Sequence, residues 1–497
     1  MSERSTNLRK FIAATSVLAA SAALAGCGTG WLGGRATNTG ADTGVEPPVV
    51  PVVVDGVRTS FADVVAKTTP AVVQITAISR GATGDRTSGI PFDDLIPQDV
   101  PRTEQRPSRG FGSGVLVKDD GTILTNHHVI DGADRISVEM TDGRSFDARV
   151  VGSDPPSDLA VLKVEATGLP FLKLGDSDAV RIGDIVLAIG NPLGIGQTVT
   201  SGIISAKSRR TGLSDESSSF QDFLQTDAPI NQGNSGGALV NVNGELVGIN
   251  SQILSRSGGN IGIGFAIPSN MAKSVMDQLI ETGEVRRGLL GVNIQDISSD
   301  LAEALNLDST RGVVISNVQS NSAADSAGLK RGDIIRKING EEVEDGNFLR
   351  NKVAGTLPGT EVKLLIVRDG REQEVSVTLG EYKSEQASGR NESPQQPEGS
   401  SDNGGKLGIT LQPLTPEAAE RLGLPPEVRG LLISQVSPGG PAAEKGLRRG
   451  DVVMEINREL VDSLEGARAA IARSGERAVL LLISRRGQTF FVSVKPD

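Results

Sequence analysis

The chain has 497 residues, 37% hydrophobic and 22% charged, a length for about three domains of ordinary globular composition. Its formal net charge of −11, with no run of Lys or Arg, argues against a nucleic-acid partner. The single cysteine, Cys27, rules out an internal disulfide, and the only histidines, His127 and His128, are neighbours, so a zinc centre of several Cys and His is not available. No metal and no nucleotide cofactor is expected, and any imidazole chemistry must run through that doublet.

Residues 1–27 read as an export signal. Arg4, Arg9 and Lys10 precede an apolar, alanine-rich run from Phe11 to Ala25 that is short for a membrane span. The run ends in Leu24-Ala25-Gly26-Cys27, which resembles a bacterial lipobox. That resemblance implies lipidation at Cys27 and an exported protein anchored to a membrane of the cell envelope, facing the periplasm. Residues 28–59 are rich in Gly, Thr, Pro and Val and read as a flexible tether, extended in part by Pro47, Pro48 and Pro51.

A globular domain is expected over 60–282. Ser60 is a helix N-cap for 61–67, and 71–78 is a strand. Residues 80–110 carry Gly, Pro, Arg and Asp without a period, interrupted by the more apolar 90–96. A loop that long is functional or disordered. Strands are predicted over 114–117, 122–125, 135–140, 146–151, 159–164, 185–189, 198–204, 237–241 and 246–251. Many short strands between turn signals predict a mainly β barrel or sandwich. A helix over 269–282, with Met271, Val275 and Leu279 at helical spacing, leads out of the domain.

Three stretches of this domain carry chemistry. The first is Asn231-Gln232-Gly233-Asn234-Ser235-Gly236-Gly237, a serine inside a glycine-rich turn before an apolar run. Glycine on both sides permits a sharp turn and lets backbone N–H groups converge on one point. The second is Thr125-Asn126-His127-His128-Val129-Ile130, and the third is Ser157-Asp158-Leu159-Ala160-Val161-Leu162-Lys163, with Asp154 four residues before Asp158. The order His, Asp, Ser is the chymotrypsin order. Serine needs a base to take its proton, neutral imidazole suits that task near pH 7, and a carboxylate fixes the tautomer.

With Gly112-Ser113-Gly114, Ile189-Gly190-Asn191-Pro192-Leu193-Gly194 and Gln225-Thr226-Asp227-Ala228, these motifs make the chain resemble the HtrA (Deg) serine proteases from about Ser60 onward. The resemblance implies a chymotrypsin-like double β-barrel followed by two PDZ domains of α+β type. Matched position by position, it implies His128 as general base, Asp158 as orienting acid and Ser235 as nucleophile. The oxyanion hole falls to backbone N–H groups of the Gly233, Asn234, Ser235 turn. It implies serine endopeptidase activity on unfolded or damaged envelope proteins, and assembly as a homotrimer or a larger homo-oligomer. Its pattern selects His128 over His127, and Asp158 over Asp154, which before two prolines reads as a turn residue. Ile261, Ile263 and Phe265 are candidates for an apolar substrate pocket. The alternatives are a non-catalytic chaperone or scaffold on the same fold, and a signalling protease that cuts one regulator.

An internal repeat fills the C-terminal part. Gly312-Val313-Val314-Ile315-Ser316 recurs as Gly430-Leu431-Leu432-Ile433-Ser434, and Gly328-Leu329-Lys330-Arg331-Gly332-Asp333 as Gly446-Leu447-Arg448-Arg449-Gly450-Asp451. The two copies, 283–382 and 405–497, resemble PDZ domains, and the polar 383–404 between them is a linker. Each copy has a candidate loop for a peptide carboxylate: Leu289, Leu290, Gly291 and Val292 in the first, Lys406, Leu407, Gly408 and Ile409 in the second. Peptide C-termini are the partners such loops imply.

Overall fold

The structure, a computed structural model, describes residues 53–54, 57–58, 60–79, 108–191, 196–211, 220–231, 233–253, 260–382, 406–424 and 428–496. The predicted signal with Cys27, most of the tether, most of the 80–110 loop and the 383–404 linker lie outside the described residues.

Helix α1 (Ala62–Thr68) enters a closed six-stranded barrel. Its strands are β1 (Val72–Ser79), β2 (Ser108–Leu116), β3 (Thr122–Thr125), β4 (Arg135–Glu139), β5 (Ser145–Asp154) and β6 (Leu159–Val164), in the spatial order β1-β2-β3-β6-β5-β4. All pairings are antiparallel, and closure removes the sheet edges. β2 begins well before the predicted residue 114. Its register with β1 runs from Val72 opposite Val115 to Ser79 opposite Ser108. Glycines at 110, 112 and 114 hid this strand from a propensity reading. A Cβ on Gly112 would stand 2.6 Å from Val129 Cγ1, so the strand gives up side chains for close packing.

A second closed barrel follows. Its strands are β7 (Ile185–Gly190), β8 (Thr198–Arg209), β9 (Phe223–Thr226), β10 (Ala238–Asn241), β11 (Leu246–Ile253) and β12 (Gly264–Pro268), in the order β8-β9-β12-β11-β10-β7. β9 and β12 were not among the predicted strands, since each is short and β9 is bounded by polar residues. Helix α3 (Ser269–Glu281) lays Ala272, Val275, Met276 and Leu279 into the apolar cluster shared by both barrels.

Each repeat then folds as its own sheet with helices. In the first, β13 (Val292–Asp296), β14 (Val313–Val318), β15 (Ile334–Ile338), β16 (Glu361–Arg368) and β17 (Arg371–Thr378) lie side by side in that order, with β13 at one edge. α4 (Ser299–Leu305) follows β13, and α5 (Gly346–Ala354) closes over the core. In the second, β18 (Ile409–Pro413), β19 (Leu431–Val436), β20 (Val452–Ile456), β21 (Val479–Arg485) and β22 (Gln488–Val494) repeat the order, with α6 (Leu464–Ser474) in the place of α5. The mainly β architecture of two barrels and two α+β repeats is the one the sequence predicts.

Candidate active site

Strand β3 is buried along its whole length, and it delivers Asn126 to the barrel rim in an extended conformation. There the chain makes one helical turn, α2 (His127–Ile130). Asp158 caps that turn with both its carbonyl and its carboxylate. Its main-chain oxygen accepts the Asn126 side-chain amide at 3.0 Å and the His127 N–H at 3.2 Å. Its Oδ1 accepts the His128 N–H at 3.0 Å, and the His128 ring nitrogen Nδ1 lies 2.8 Å from Oδ2 and 3.0 Å from Oδ1. Ser251, from β11 of the second barrel, donates its hydroxyl to Oδ2 at 3.1 Å.

Asp158 reaches this place through a left-handed backbone, φ 54° and ψ 41°, a conformation that Asp tolerates better than most residues. It ends the short turn Pro155–Ser157, whose N-cap is Asp154, with the Ser157 N–H donating to Asp154 Oδ2 at 3.1 Å. Asp154 is therefore the turn residue the sequence predicts, and its carboxylate is also bound by Arg287. His127 faces elsewhere. Its Nε2 lies 3.9 Å from Asp131, and its Nδ1 is buried without a partner among the described residues. The two imidazoles of the doublet thus meet different carboxylates, and only the ring of His128 reaches Asp158.

The serine turn is fixed from both barrels. The Ser113 N–H on β2 donates to the Ser235 carbonyl at 2.8 Å, and the Ser113 hydroxyl donates to the Gly233 carbonyl at 2.6 Å. From β11, the Asn250 carbonyl accepts the Gly236 N–H at 2.8 Å. Gly236 has φ 81°, and a Cβ there would stand 2.1 Å from the Ser113 carbonyl and 2.4 Å from Thr125 Oγ1. Only glycine lets the turn approach so closely. Asn250 and Ser251 are consecutive, so one step of β11 holds the serine turn by its backbone and Asp158 by its hydroxyl.

The amides of Gly233 and Ser235 make no hydrogen bond among the described residues, whereas the Asn234 N–H donates to the Asn231 carbonyl at 3.0 Å. Asn234 is thereby removed from the predicted set of oxyanion donors, because its amide is engaged inside the turn. The Ser235 hydroxyl makes no hydrogen bond to a described residue.

The His128 side chain is 49% exposed, and its ring lies among protein atoms at the rim of the barrel. That packing disfavours the charged ring. The hydrogen bond and negative charge of Asp158 outweigh it, and the pKa of His128 rises above the ordinary imidazole value of 6.5. Ser251 and Asn250 were not singled out from the sequence. The available signal is two polar residues ending the apolar run of β11, since a fully buried polar side chain needs a partner. Ser251→Ala removes one donor from the Asp158 carboxylate, and we expect about a tenfold lower kcat/KM with an unchanged unfolding midpoint. An activity within twofold of the unaltered enzyme contradicts that role.

The three pocket candidates are not gathered on one wall. Phe265 on β12 is 4% exposed, with its ring centre 5.7 Å from that of Phe223, and belongs to the core. Ile263 packs against the same cluster, and Ile261 is 63% exposed. All five residues of β12 are buried, and Phe265 lies in the interior with them.

The two carboxylate-loop candidates share one bonding pattern. In the first, the Leu290 carbonyl accepts the Ala324 N–H at 2.9 Å, and the Gly291 carbonyl accepts the Gln319 N–H at 2.9 Å. In the second, the Leu407 carbonyl accepts from Ala442 at 3.2 Å, and the Gly408 carbonyl from Ser437 at 2.8 Å. Gly291 and Gly408 are both left-handed, φ 79° and 70°. The amides of Leu290, Gly291, Leu407 and Gly408 donate to no described residue. Leu289 and Val292 flank the first loop, and exposed Lys406 and buried Ile409 flank the second.

Residues 112–249 match the family model of the trypsin-like peptidase domain, and residues 288–379 and 432–485 each match that of a PDZ domain. The chain is 41% identical over 463 residues to a probable periplasmic serine endoprotease, DegP-like, of Chlamydia trachomatis serovar D, covering 89% of each chain. It belongs to the HtrA family of serine endoproteases. It is also 42% identical over 432 residues to the periplasmic pH-dependent serine endoprotease DegQ of Escherichia coli, covering 86% of this chain and 89% of that one. Among solved structures it is similar to the HtrA-type protease AlgW with a tripeptide, with a TM-score of 0.53 and 42% identity, covering 65% of this chain and 98% of that one. This HtrA chain is a serine endopeptidase, and its periplasmic relatives support its export to the periplasm.

Proposed function

We propose that this HtrA protease cuts unfolded or damaged proteins of the cell envelope, with Ser235 as nucleophile, His128 as general base and Asp158 as the acid that orients it. The observation that carries this reading is the His128–Asp158 pair at 2.8 Å, held by the Asn250-Ser251 step to the turn bearing Ser235. With Nδ1–H donated to Asp158, Nε2 keeps the lone pair that accepts the Ser235 proton as Oγ attacks the scissile carbonyl. Asp158 stabilises the imidazolium so formed, and His128 then returns the proton to the leaving amine. The amides of Gly233 and Ser235 receive the oxyanion of the tetrahedral intermediate.

The first PDZ domain captures the C-terminus of a polypeptide. The chain end adds as a strand to the edge of β13, and the amides of Leu290 and Gly291 hold its carboxylate. Gly408 and Leu407 offer the same arrangement in the second. Peptides with an apolar last residue and a free carboxylate should bind and raise turnover of a separate chromogenic substrate. C-terminal amidation should abolish most of that stimulation, because the amides lose their anion. Equal stimulation by free-acid and amidated peptides would sink carboxylate capture.

We further assign a lipid anchor at Cys27, motivated by the Leu24-Ala25-Gly26-Cys27 resemblance, and a homotrimer or larger assembly. Cys27→Ser should move the enzyme from the detergent phase to the aqueous phase on partitioning while activity persists. An unaltered enzyme found wholly in the aqueous phase excludes the anchor, and a monomer in native mass measurement excludes the assembly.

A further inference from the structure

The two PDZ domains differ at one strand where the repeat predicts likeness. In β16, Val362, Leu364 and Ile366 face the domain's own core, while the other face opens with exposed Glu361 and Lys363 and turns apolar only at half-buried Leu365 and Val367. The matching strand β21 is apolar on both faces. Val479, Leu481 and Ile483 fill its own core, and Leu480 and Leu482 on the other face are only 4% and 1% exposed. A strand apolar on both faces needs a cover on each. The second cover is the first PDZ domain: Leu480, Leu482 and Phe491 join Leu301 and Leu305 of α4 and Val314 of β14 in one apolar cluster. Ion pairs Lys445–Asp300 and Arg331–Glu455 cross the same boundary.

Three side-chain hydrogen bonds of this seat fall on β13 and β14 of the first domain. Thr489 donates its hydroxyl to the Ser316 carbonyl of β14 at 3.0 Å. Gln295 of β13 makes two hydrogen bonds to one residue of β22. Its Nε2 donates to the Phe491 carbonyl at 2.9 Å, and its Oε1 accepts the Phe491 N–H at 2.8 Å. β22 is the edge strand of its sheet, so the carboxamide satisfies that edge as a neighbouring strand would. On β13 itself, Val292 and Ile294 pack with the first domain's core, and Asp296 Oδ1 accepts the Gly346 N–H at the start of α5 at 2.6 Å. The groove lies between β13 and α5. Alternate residues of β13 therefore serve the groove side and the docking side.

We propose that Gln295 is a positioning residue. Through it the second PDZ domain seats on the back of β13 and sets that strand against α5, so the first groove reaches full affinity only with the second domain docked. The inference rests on the reading that the first groove takes peptide C-termini. Linkage makes the effect reciprocal: a peptide in the first groove must tighten the seat of the second domain by the same factor.

The test uses the full chain and a fluorescein-labelled decapeptide with an apolar last residue and a free carboxylate. Binding is read by anisotropy, and seating by amide hydrogen exchange over 479–494. Binding that survives Gly291→Val belongs to the second groove and is subtracted, because a Cβ at Gly291 would stand 2.3 Å from Ser322 Cβ. Gln295→Ala should weaken the first site by about fivefold and speed exchange over 479–494. Gln295→Glu should be no better, since a carboxylate offers no N–H to the Phe491 carbonyl. In the unaltered chain, peptide should slow exchange over 479–494. If Gln295→Ala does not fold, Thr489→Val tests the seat from the other side and should weaken the first site in the same direction. A merely structural role would lower the unfolding midpoint and leave peptide affinity alone. Affinity in a folded Gln295→Ala within 1.5-fold of the unaltered chain (roughly the resolution of the assay) overturns the proposal while peptide capture stands. No saturable binding by the unaltered chain overturns capture itself, and the coupling with it.

Discussion

Ser235→Ala lowers kcat on an unfolded, casein-like substrate by about 10⁴- to 10⁶-fold, and His128→Ala does the same. The double variant is hardly worse than either, because the groups act as one unit. His127→Ala keeps most of the activity, since its ring meets Asp131 at 3.9 Å and not Asp158. An inactive His127→Ala beside an active His128→Ala would reverse the assignment of the base. The pH profile adds an independent check. His128 must be neutral to accept a proton, so activity rises with pH as the ring loses its charge. Burial lowers its pKa, and the bond and charge of Asp158 raise it by more. The acid limb of kcat/KM therefore lies above the ordinary imidazole value of 6.5. Asp158→Asn removes the charge, so its limb should move to lower pH while the rate falls. A limb that stays in place in Asp158→Asn would mean that another group titrates.

The parts of this site that are contiguous in sequence were legible there. His128 stands three residues past the end of a buried strand, Asp158 directly before another, and Ser235 inside its own glycine turn, so a short motif marks each position. Ser251 was not legible, because its partner lies 93 residues away and nothing local marks it. β2 was hidden by its own glycines, whose missing side chains make room for Val129 and Ile123. The repeats were legible as repeats, and so were the matched loops at Gly291 and Gly408. Their docking was not. The linker composition suggests two separable domains, yet Leu480 and Leu482 show that one face of the last sheet has its cover on the other domain. That information is present in the sequence only as a departure from alternation in β21.

Asp154 shows how a correct local reading stays incomplete. It caps the turn that ends in Asp158, as its position before two prolines predicts. Its carboxylate also takes the guanidinium of Arg287, 133 residues away, with Nη1 2.8 Å from Oδ1 and Nη2 bound to Oδ2. The two side chains are nearly without exposure, and the Arg287 guanidinium lies 4.6 Å from the centre of the Phe220 ring. Tyr382 closes the group, edge-on to Phe220 at 5.6 Å, with its N–H donating to the Arg287 carbonyl at 2.9 Å. One ion pair thus joins the turn before Asp158 to the connector between α3 and the first PDZ domain. Removing one partner of a buried pair leaves the other charge without compensation, at a cost of about 3–5 kcal/mol. Arg287→Met should therefore lower the unfolding midpoint of the barrel domain by roughly 10 °C. Arg287→Lys should fall between, because an ammonium keeps the charge and loses the two-pronged geometry. Pairing Arg287→Met with Asp154→Asn should recover much of the loss. Asparagine still accepts the Ser157 N–H and leaves no buried charge, so the two changes together cost less than their sum. Midpoints for Arg287→Met within about 2 °C of the unaltered chain, or strictly additive losses in the double variant, would show that the pair does not hold this turn.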